Sequence, residues 1–315
     1  MLSLLKNINN QNEFDNKGYF ITPLLNQNDV TELFQYYAKI DKTYINDRVF
    51  HSTFFIKNPD YYNRIVSKLK DIILPKIDPI LNKYKIIAAG FIVKEPSPNG
   101  IIPPHQDWTF VNENKYYSIN FWIPLQDVNI DNGSLGFIEN SKDMIKPVRG
   151  SPSPGFKTIL GQANMELFPY MDIKSLKAGE ALIYDSKTIH GSSANLTKYP
   201  RIAVAICLTF EMANLYHWYL SPEDNSNTII KYKVNENFFS IFNNDKLYEY
   251  YTMKQYPDKF AQKIDEEKLD IDFPNLQDFI KDITNIKSNK WNEKLANLIK
   301  DYNPDNRGLR PDLQL

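Results

Sequence analysis

Two short stretches hold the residues of this chain best suited to chemistry. Pro104-His105-Gln106-Asp107-Trp108 is answered much later by Ile189-His190-Gly191-Ser192 and then by Arg201. The first stretch reads as a strand that His105 begins and that runs through Gln106-Asp107-Trp108-Thr109-Phe110, and His105 and Asp107 project from one face of it, because strand side chains alternate with period two. His190, brought from elsewhere, would complete a two-histidine, one-carboxylate face on a metal. Such a face leaves half the coordination sphere open, as expected of non-haem Fe(II) oxygenases. A His-x-Asp pair alone carries little weight, since chance supplies it often, so the surroundings decide. The other two histidines, His51 and His217, have no such neighbours, and His217 reads as a lid or surface residue.

Arg201 adds weight because arginine is scarce: only six of the 37 basic residues are arginines. It opens a run, Arg201–Phe210, whose two faces differ. Ala203, Ala205 and Cys207 share its side, while Ile202, Val204, Ile206 and Leu208 take the other. The bulky face suits packing against helices, and the small face leaves room for a ligand beside a guanidinium. A buried arginine requires an anion, and its planar fork matches a carboxylate bidentately; an internal ion pair would serve it too. The run 117–123 divides similarly, with Ser118, Asn120 and Trp122 opposite Tyr117, Ile119, Phe121 and Ile123. Ser118 and Asn120 would be costly in a dry core without partners, so that side faces either a polar site or solvent.

The elements needed to position these residues can be read from periodicity. Residues 86 to 212 carry short β-rich runs at Ile86–Val93, Tyr116–Ile123, Ser134–Ile138, Ala181–Tyr184 and Arg201–Phe210, separated by Pro, Gly and Asn clusters. Asp131-Asn132-Gly133-Ser134 is a turn signal for an antiparallel return. This spacing predicts an antiparallel sandwich or barrel and not alternating βαβ units. Tyr19–Pro23 reads as a short strand. A helix capped by Asn28 or Asp29 carries Val30, Leu33, Phe34 and Tyr37, and another runs from Pro59 through Ile72-Ile73. The tail beyond about 240 returns to helix. Segment 139–175, with Pro147, Pro152, Pro154 and Gly155, reads as a long insertion, and Lys142 to Tyr170 as a lid. Without repeats or a disordered linker, residues 1–315 read as one domain. In it, both helical ends would buttress one outer face of a β core at about 86–212.

Composition sets the remaining bounds. A net charge of −1 offers no electrostatic footprint for nucleic acid or an anionic membrane surface. Cys207, the single cysteine, sits in an apolar run and reads as a small buried hydrophobe. With no intramolecular disulfide possible and no signal peptide or membrane span in evidence, a cytoplasmic location is expected.

Taken together, His105-Gln106-Asp107, Trp122, Asn132-Gly133, His190, Ser192 and Arg201 resemble the motif set of the phytanoyl-CoA dioxygenase family of Fe(II)/2-oxoglutarate oxygenases. The arginine lies eleven residues beyond the distal histidine, as in that family. The resemblance covers roughly residues 15 to 220. It implies a mainly β fold, a double-stranded β-helix (jelly roll) with flanking helices. It also implies Fe(II) held by His105, Asp107 and His190, with 2-oxoglutarate and O2 taking the open positions. Arg201 would grip the distal carboxylate of the cosubstrate, helped by Ser192, with Trp122 and Asn120 lining the pocket. Lys94 and Arg48 lie where relatives sometimes offer a further cation.

Neighbouring families fit less well. Prolyl-hydroxylase-like enzymes place a lysine after the distal histidine, and here the nearest, Lys198, precedes Tyr199-Pro200 in a loop. Nucleic-acid demethylases carry a second arginine six positions after the first, where this chain has Cys207. Halogenating relatives lack the carboxylate ligand, and Asp107 is present. Hydroxylation of an unactivated C–H is therefore expected, on a small molecule: an amino acid, a peptide- or carrier-linked acyl group, or a lipid-like compound. A cupin-type metal enzyme without oxygenase chemistry, or a degenerate jelly-roll binding module, is the alternative. Arg201 argues against the first and the complete triad against the second.

Overall fold

The computed structural model describes residues 3–43, 48–145, 148–151, 156–223, 228–268, 275–300 and 302. Pro147, Pro152, Pro154 and Gly155 lie outside them. The architecture is two antiparallel sheets packed as a jelly roll. The larger has six strands in the order β1 (Tyr19–Pro23), β8 (Glu180–Asp185), β5 (Ser118–Pro124), β10 (Arg201–Phe210), β3 (Tyr84–Lys94) and β2 (Phe50–Ser52). The smaller has four, in the order β4 (Ile102–His105), β9 (His190–Ser192), β6 (Leu135–Phe137) and β7 (Asp172–Ile173).

Register explains which residues reach the interior. Opposite β10, Arg201 pairs with Lys94, Ala203 with Ile92, Ala205 with Gly90 and Cys207 with Ala88. On its other side Ala205 pairs with Trp122 and Cys207 with Asn120. Cross-strand partners share a face, so the interior is floored by small residues, two cations, Trp122 and Asn120. Sequence alternation anticipated this division. Trp122, Ala203 and Tyr184 from the large sheet meet Leu135 and Phe137 of the small one. The opposite face of the large sheet, with Phe91, Val93, Phe121, Ile183, Val204 and Ile206, packs under helices.

Those helices are α2 (Gln27–Ala38) and α3 (Pro59–Ile77), preceded by α1 (Ile8–Lys17). In α2 the cap is Asn26, earlier than expected. Asn26 Oδ1 accepts from the Asp29 amide at 2.9 Å and Asp29 Oδ2 accepts from the Asn26 amide at 3.0 Å, a reciprocal capping box that outcompetes Asn28. In α3, Asn58 caps and Pro59 opens the helix, and Ile65, Leu69, Ile73 and Ile77 line its buried stripe.

Two expectations about the rest of the chain are corrected. The C-terminal helices do not all cover the face that the N-terminal ones cover. Helices α7 (Leu276–Thr284) and α8 (Glu293–Lys300) bury Phe279, Ile283 and Leu295 with Ile138, Ile189 and helix α4 (Leu160–Leu167), on the side of the small sheet. Because Leu160, Ala163 and Leu167 belong to that cluster, this part of the presumed lid is packed structure. The region after the core is also not purely helical: β11 (Leu215–Leu220), β12 (Thr228–Val234) and β13 (Gln262–Lys268) form a third sheet, with α5 (Phe238–Ile241) and α6 (Asn244–Thr252) between β12 and β13. Among the described residues no helix is long and apolar enough to cross a membrane.

Candidate metal centre

Strand β4 ends at His105, so Asp107 lies in an irregular segment and not on the strand expected from its spacing. The reason is where its backbone bonds go. The Asp107 amide donates to the Ser186 carbonyl (3.0 Å), Gln106 Nε2 to the Lys187 carbonyl (2.5 Å), and Arg149 Nε to the Asp107 carbonyl (2.6 Å). The segment is moored to the end of β8 and to residue 149 instead of a neighbouring strand. His105 stands opposite His190 in the β4–β9 ladder.

The three side chains converge. Ligand atoms of His105, Asp107 and His190 all lie within 4.8 Å of one another, and His190 Nε2 is 3.6 Å from Asp107 Oδ2. Each imidazole has its Nδ1 2.9 Å from a backbone carbonyl, that of Pro103 for His105 and of Thr188 for His190. A carbonyl only accepts, so Nδ1 carries the proton and each Nε2 keeps a lone pair, the tautomer a metal needs. Burial, with His190 beside it, pulls the His105 pKa down to about 4, keeping the ring neutral. Asn120 Nδ2 donates to Asp107 Oδ2 at 2.8 Å and also reaches Ser186 Oγ at 3.2 Å. The Tyr184 hydroxyl bonds the same carboxylate, and its pKa is raised well above the usual phenol value by burial first and Asp107 second. Asn120 therefore orients the carboxylate, a role beyond the pocket-lining one expected of it.

Behind this face lie two buried cations. Lys94 is fully buried, and its Nζ donates to Ser192 Oγ (2.5 Å) and the Ser193 carbonyl (2.6 Å). Its stem passes over the turn at Gly133, where a Cβ would meet Lys94 Cδ at 2.6 Å and where φ is +81°; only glycine suits both demands. Arg201, 1% exposed, lies over the Trp122 ring at 5.2 Å and donates from Nη1 to the Ile92 carbonyl at 3.2 Å, while its Nε has no partner. Neither cation meets a carboxylate among the described residues. Burial lowers the Arg201 pKa to about 9, and burial together with Arg201 pulls Lys94 well below the usual lysine value. Ser192, expected beside Arg201, is engaged by Lys94. The sequence hinted at Lys94 only loosely, yet its register opposite Arg201 was predictable once β3 and β10 were paired.

His217 is corrected as well: it is 3% exposed, packed against Phe238 and Tyr219. Burial alone pulls its pKa down to about 3. A residue the sequence did not single out is Arg149. Its fork grips Glu113 through Nη1 (2.9 Å) and Nη2 (2.5 Å), and its backbone bonds Thr109 in both directions. Next to it, Gly150 passes the Trp218 carbonyl so closely that a Cβ would lie 2.7 Å away. Arg149 thus clasps the Asp107 segment from outside. Replacing it with Gln, which loses the bidentate contact, is expected to weaken divalent-metal affinity roughly ten- to a hundredfold. Metal titration of the folded variant checks this; unchanged affinity would mean that Ser186 and Lys187 suffice to hold the loop.

Over the metal face opens a cavity of about 270 Å³, touching His105, Asp107 and Asn120 and floored by Ala88, Ala205 and Cys207. Known proteins resemble this chain in sequence. Phytanoyl-CoA dioxygenase domain-containing protein 1 of Danio rerio is 28% identical over 163 residues, 48% of this chain and 54% of the relative. Phytanoyl-CoA dioxygenase 1 of Oryza sativa subsp. japonica is 27% identical over 137 residues, 39% of this chain and 45% of the relative. The chain thus spans about half the length of the curated relatives it matches. Among solved structures, EvdO2 from Micromonospora carbonacea var. aurantiaca complexed with 2-oxoglutarate is similar with a TM-score of 0.48 and 18% identity, covering 67% of this chain and 94% of that one. HygX from Streptomyces hygroscopicus with nickel and 2-oxoglutarate bound gives 0.47 and 13%, covering 65% and 87%. Residues 28–203, more than half of the 315, match the family model for phytanoyl-CoA dioxygenase, and with the motif residues from His105 to Arg201 inside that span, the chain belongs to the phytanoyl-CoA dioxygenase (PhyH) family.

Proposed function

We propose that the protein is an Fe(II)- and 2-oxoglutarate-dependent dioxygenase that hydroxylates an unactivated C–H of a small molecule. The observation that carries this reading is the pair of buried cations, Lys94 and Arg201, with no carboxylate partner among the described residues, behind the His105, Asp107 and His190 set. Buried charges are ordinarily paired, so an anion is the missing component. The strand sets the scale: Ser192, which holds Lys94, is two residues beyond His190 on β9. Two residues of extended chain span roughly 6.6 Å, a distance suited to a five-carbon diacid with one end at the metal and the other at the cations.

His105, Asp107 and His190 would hold Fe(II), which suits two imidazoles and one carboxylate with open positions left over. Bound iron would supply dioxygen activation coupled to decarboxylation of 2-oxoglutarate to succinate and CO2. The chain's own contribution is placement. Nδ1 bonds to the Pro103 and Thr188 carbonyls fix both rings, and Asn120 and Tyr184 fix the carboxylate. Arg201 and Lys94 orient the cosubstrate, and Trp122 shields the guanidinium from water. Asp107 occupies the position a halide would need, which favours hydroxylation. A cytoplasmic, single-domain enzyme acting on a small molecule completes the reading. Succinate formation that requires Fe(II), 2-oxoglutarate and O2 together tests it; protein that binds metal yet forms no succinate under any substrate would refute it.

A further inference from the structure

The cavity above the metal face is lined mainly by apolar side chains. Asp107 is its one charged lining residue among those described, and it is committed to Asn120, Tyr184 and the metal set. Gln106 gives its amide to the Lys187 carbonyl, Asn120 gives its own to Asp107 and Ser186, and the Asn243 side chain accepts from the Lys246 amide as the cap of α6. Apart from the remaining amide atoms of Gln106, Asn120 and Asn243, what is left to meet a ligand is hydrocarbon. Phe54, Trp108, Phe110 and Phe239 are each half-buried around the opening, and Phe242 is buried behind them. Phe239 stands edge-on to Phe110 with centroids 5.0 Å apart, so the wall from α5 touches the segment that carries Asp107. Phe239 and Phe242 lie beyond residue 203, outside the span that matches the family model.

Resting on the oxygenase reading above, we infer that the substrate presents an uncharged, apolar carbon skeleton to the metal, selected by Phe239 and Phe242 of the C-terminal region. A zwitterionic free amino acid is disfavoured in this pocket. Its ammonium and carboxylate would have to be desolvated where no lysine or arginine lines the wall and the one carboxylate, Asp107, is already committed, which is unfavourable. Each methylene buried against the rings, by contrast, should strengthen binding roughly three- to fourfold. The volume of about 270 Å³ is at the small end for ligand sites, so the inserted portion is short.

A matched pair of probes tests this on the full-length protein loaded with Mn(II). Affinity for 2-oxoglutarate is measured first by calorimetry; its absence would overturn the oxygenase reading and this inference with it. With 2-oxoglutarate bound, butanamide, pentanamide and hexanamide are titrated beside norleucine, which shares the six-carbon skeleton of hexanamide but is zwitterionic. Affinity should climb with each methylene, and hexanamide should bind at least about tenfold more tightly than norleucine. Phe239→Ala, at a half-exposed position the fold tolerates, should flatten the dependence on chain length. A flat series in the native protein, no saturable amide binding, or norleucine binding as well as hexanamide would overturn the inference while leaving the cosubstrate reading intact. An unchanged length dependence in Phe239→Ala would overturn the role given to that wall.

Discussion

Asp107→Ala is expected to abolish succinate formation and to weaken Fe(II) binding by well over a hundredfold. Loss of a group that merely orients a ligand costs roughly ten- to a hundredfold in metal affinity, and this change removes a ligand itself. Only His105 and His190 would remain, and no other carboxylate joins their cluster among the described residues. The substitution also takes the carboxylate partner from the Tyr184 hydroxyl and leaves the Asn120 amide with Ser186 alone. Asp107→Asn separates the two effects, since it keeps a hydrogen-bonding partner but not the negative charge. Metal titration and turnover on both variants check the prediction. Activity retained by Asp107→Ala would mean that the metal takes its carboxylate from elsewhere.

The second large effect belongs to the cations. Arg201→Lys keeps charge but loses the planar fork, and Lys94→Met removes the charge altogether. Each should weaken 2-oxoglutarate by roughly ten- to a hundredfold, the range of a charge-assisted contact worth ~1.5–3 kcal/mol, while Fe(II) affinity stays largely intact. A pH signature accompanies this. In the ligand-free protein, burial and the neighbouring Arg201 hold the Lys94 pKa well below that of a free lysine. A bound carboxylate favours the protonated form and moves the pKa back up. Binding must therefore take up a proton at pH values between the two. Calorimetry at about pH 8.5 in buffers of different ionisation enthalpy should show net uptake in the native protein, and less in Lys94→Met, where only Arg201 is left to take up a proton. Were both cations purely structural, the variants would lose stability while the folded fraction bound 2-oxoglutarate unchanged.

Much of the site could be read from sequence because it depends on local regularities. The alternation of small and bulky residues from Arg201 to Leu208 is a direct imprint of the two faces of β10, and it marked the interior correctly. The turn at Asn132-Gly133 was visible as well, although its second purpose, room for the Lys94 stem, is a contact across 39 positions of chain that no local pattern records. The Asp107 segment was misread as strand because period two was the sole guide, whereas the bonds that shape it come from Ser186, Lys187 and Arg149. Arg149 itself was invisible since Glu113 lies 36 residues away. Strand β13 was hidden by its charged sequence, Gln262–Lys268, and α7 and α8 show their apolar faces in sequence without showing which sheet they cover.

The central claim is that the His/Asp/His face and the two buried cations form one site for a five-carbon keto diacid. Anaerobic titration of 2-oxoglutarate into the Fe(II)-loaded protein, alongside oxaloacetate and 2-oxoadipate, which are one carbon shorter and longer, tests it most directly. The account predicts saturable one-to-one binding of 2-oxoglutarate that is weakened when metal is withheld, with both homologues weaker because they misfit the span between His190 and Ser192. Failure of 2-oxoglutarate to bind, or binding indifferent to both metal and chain length, would contradict it.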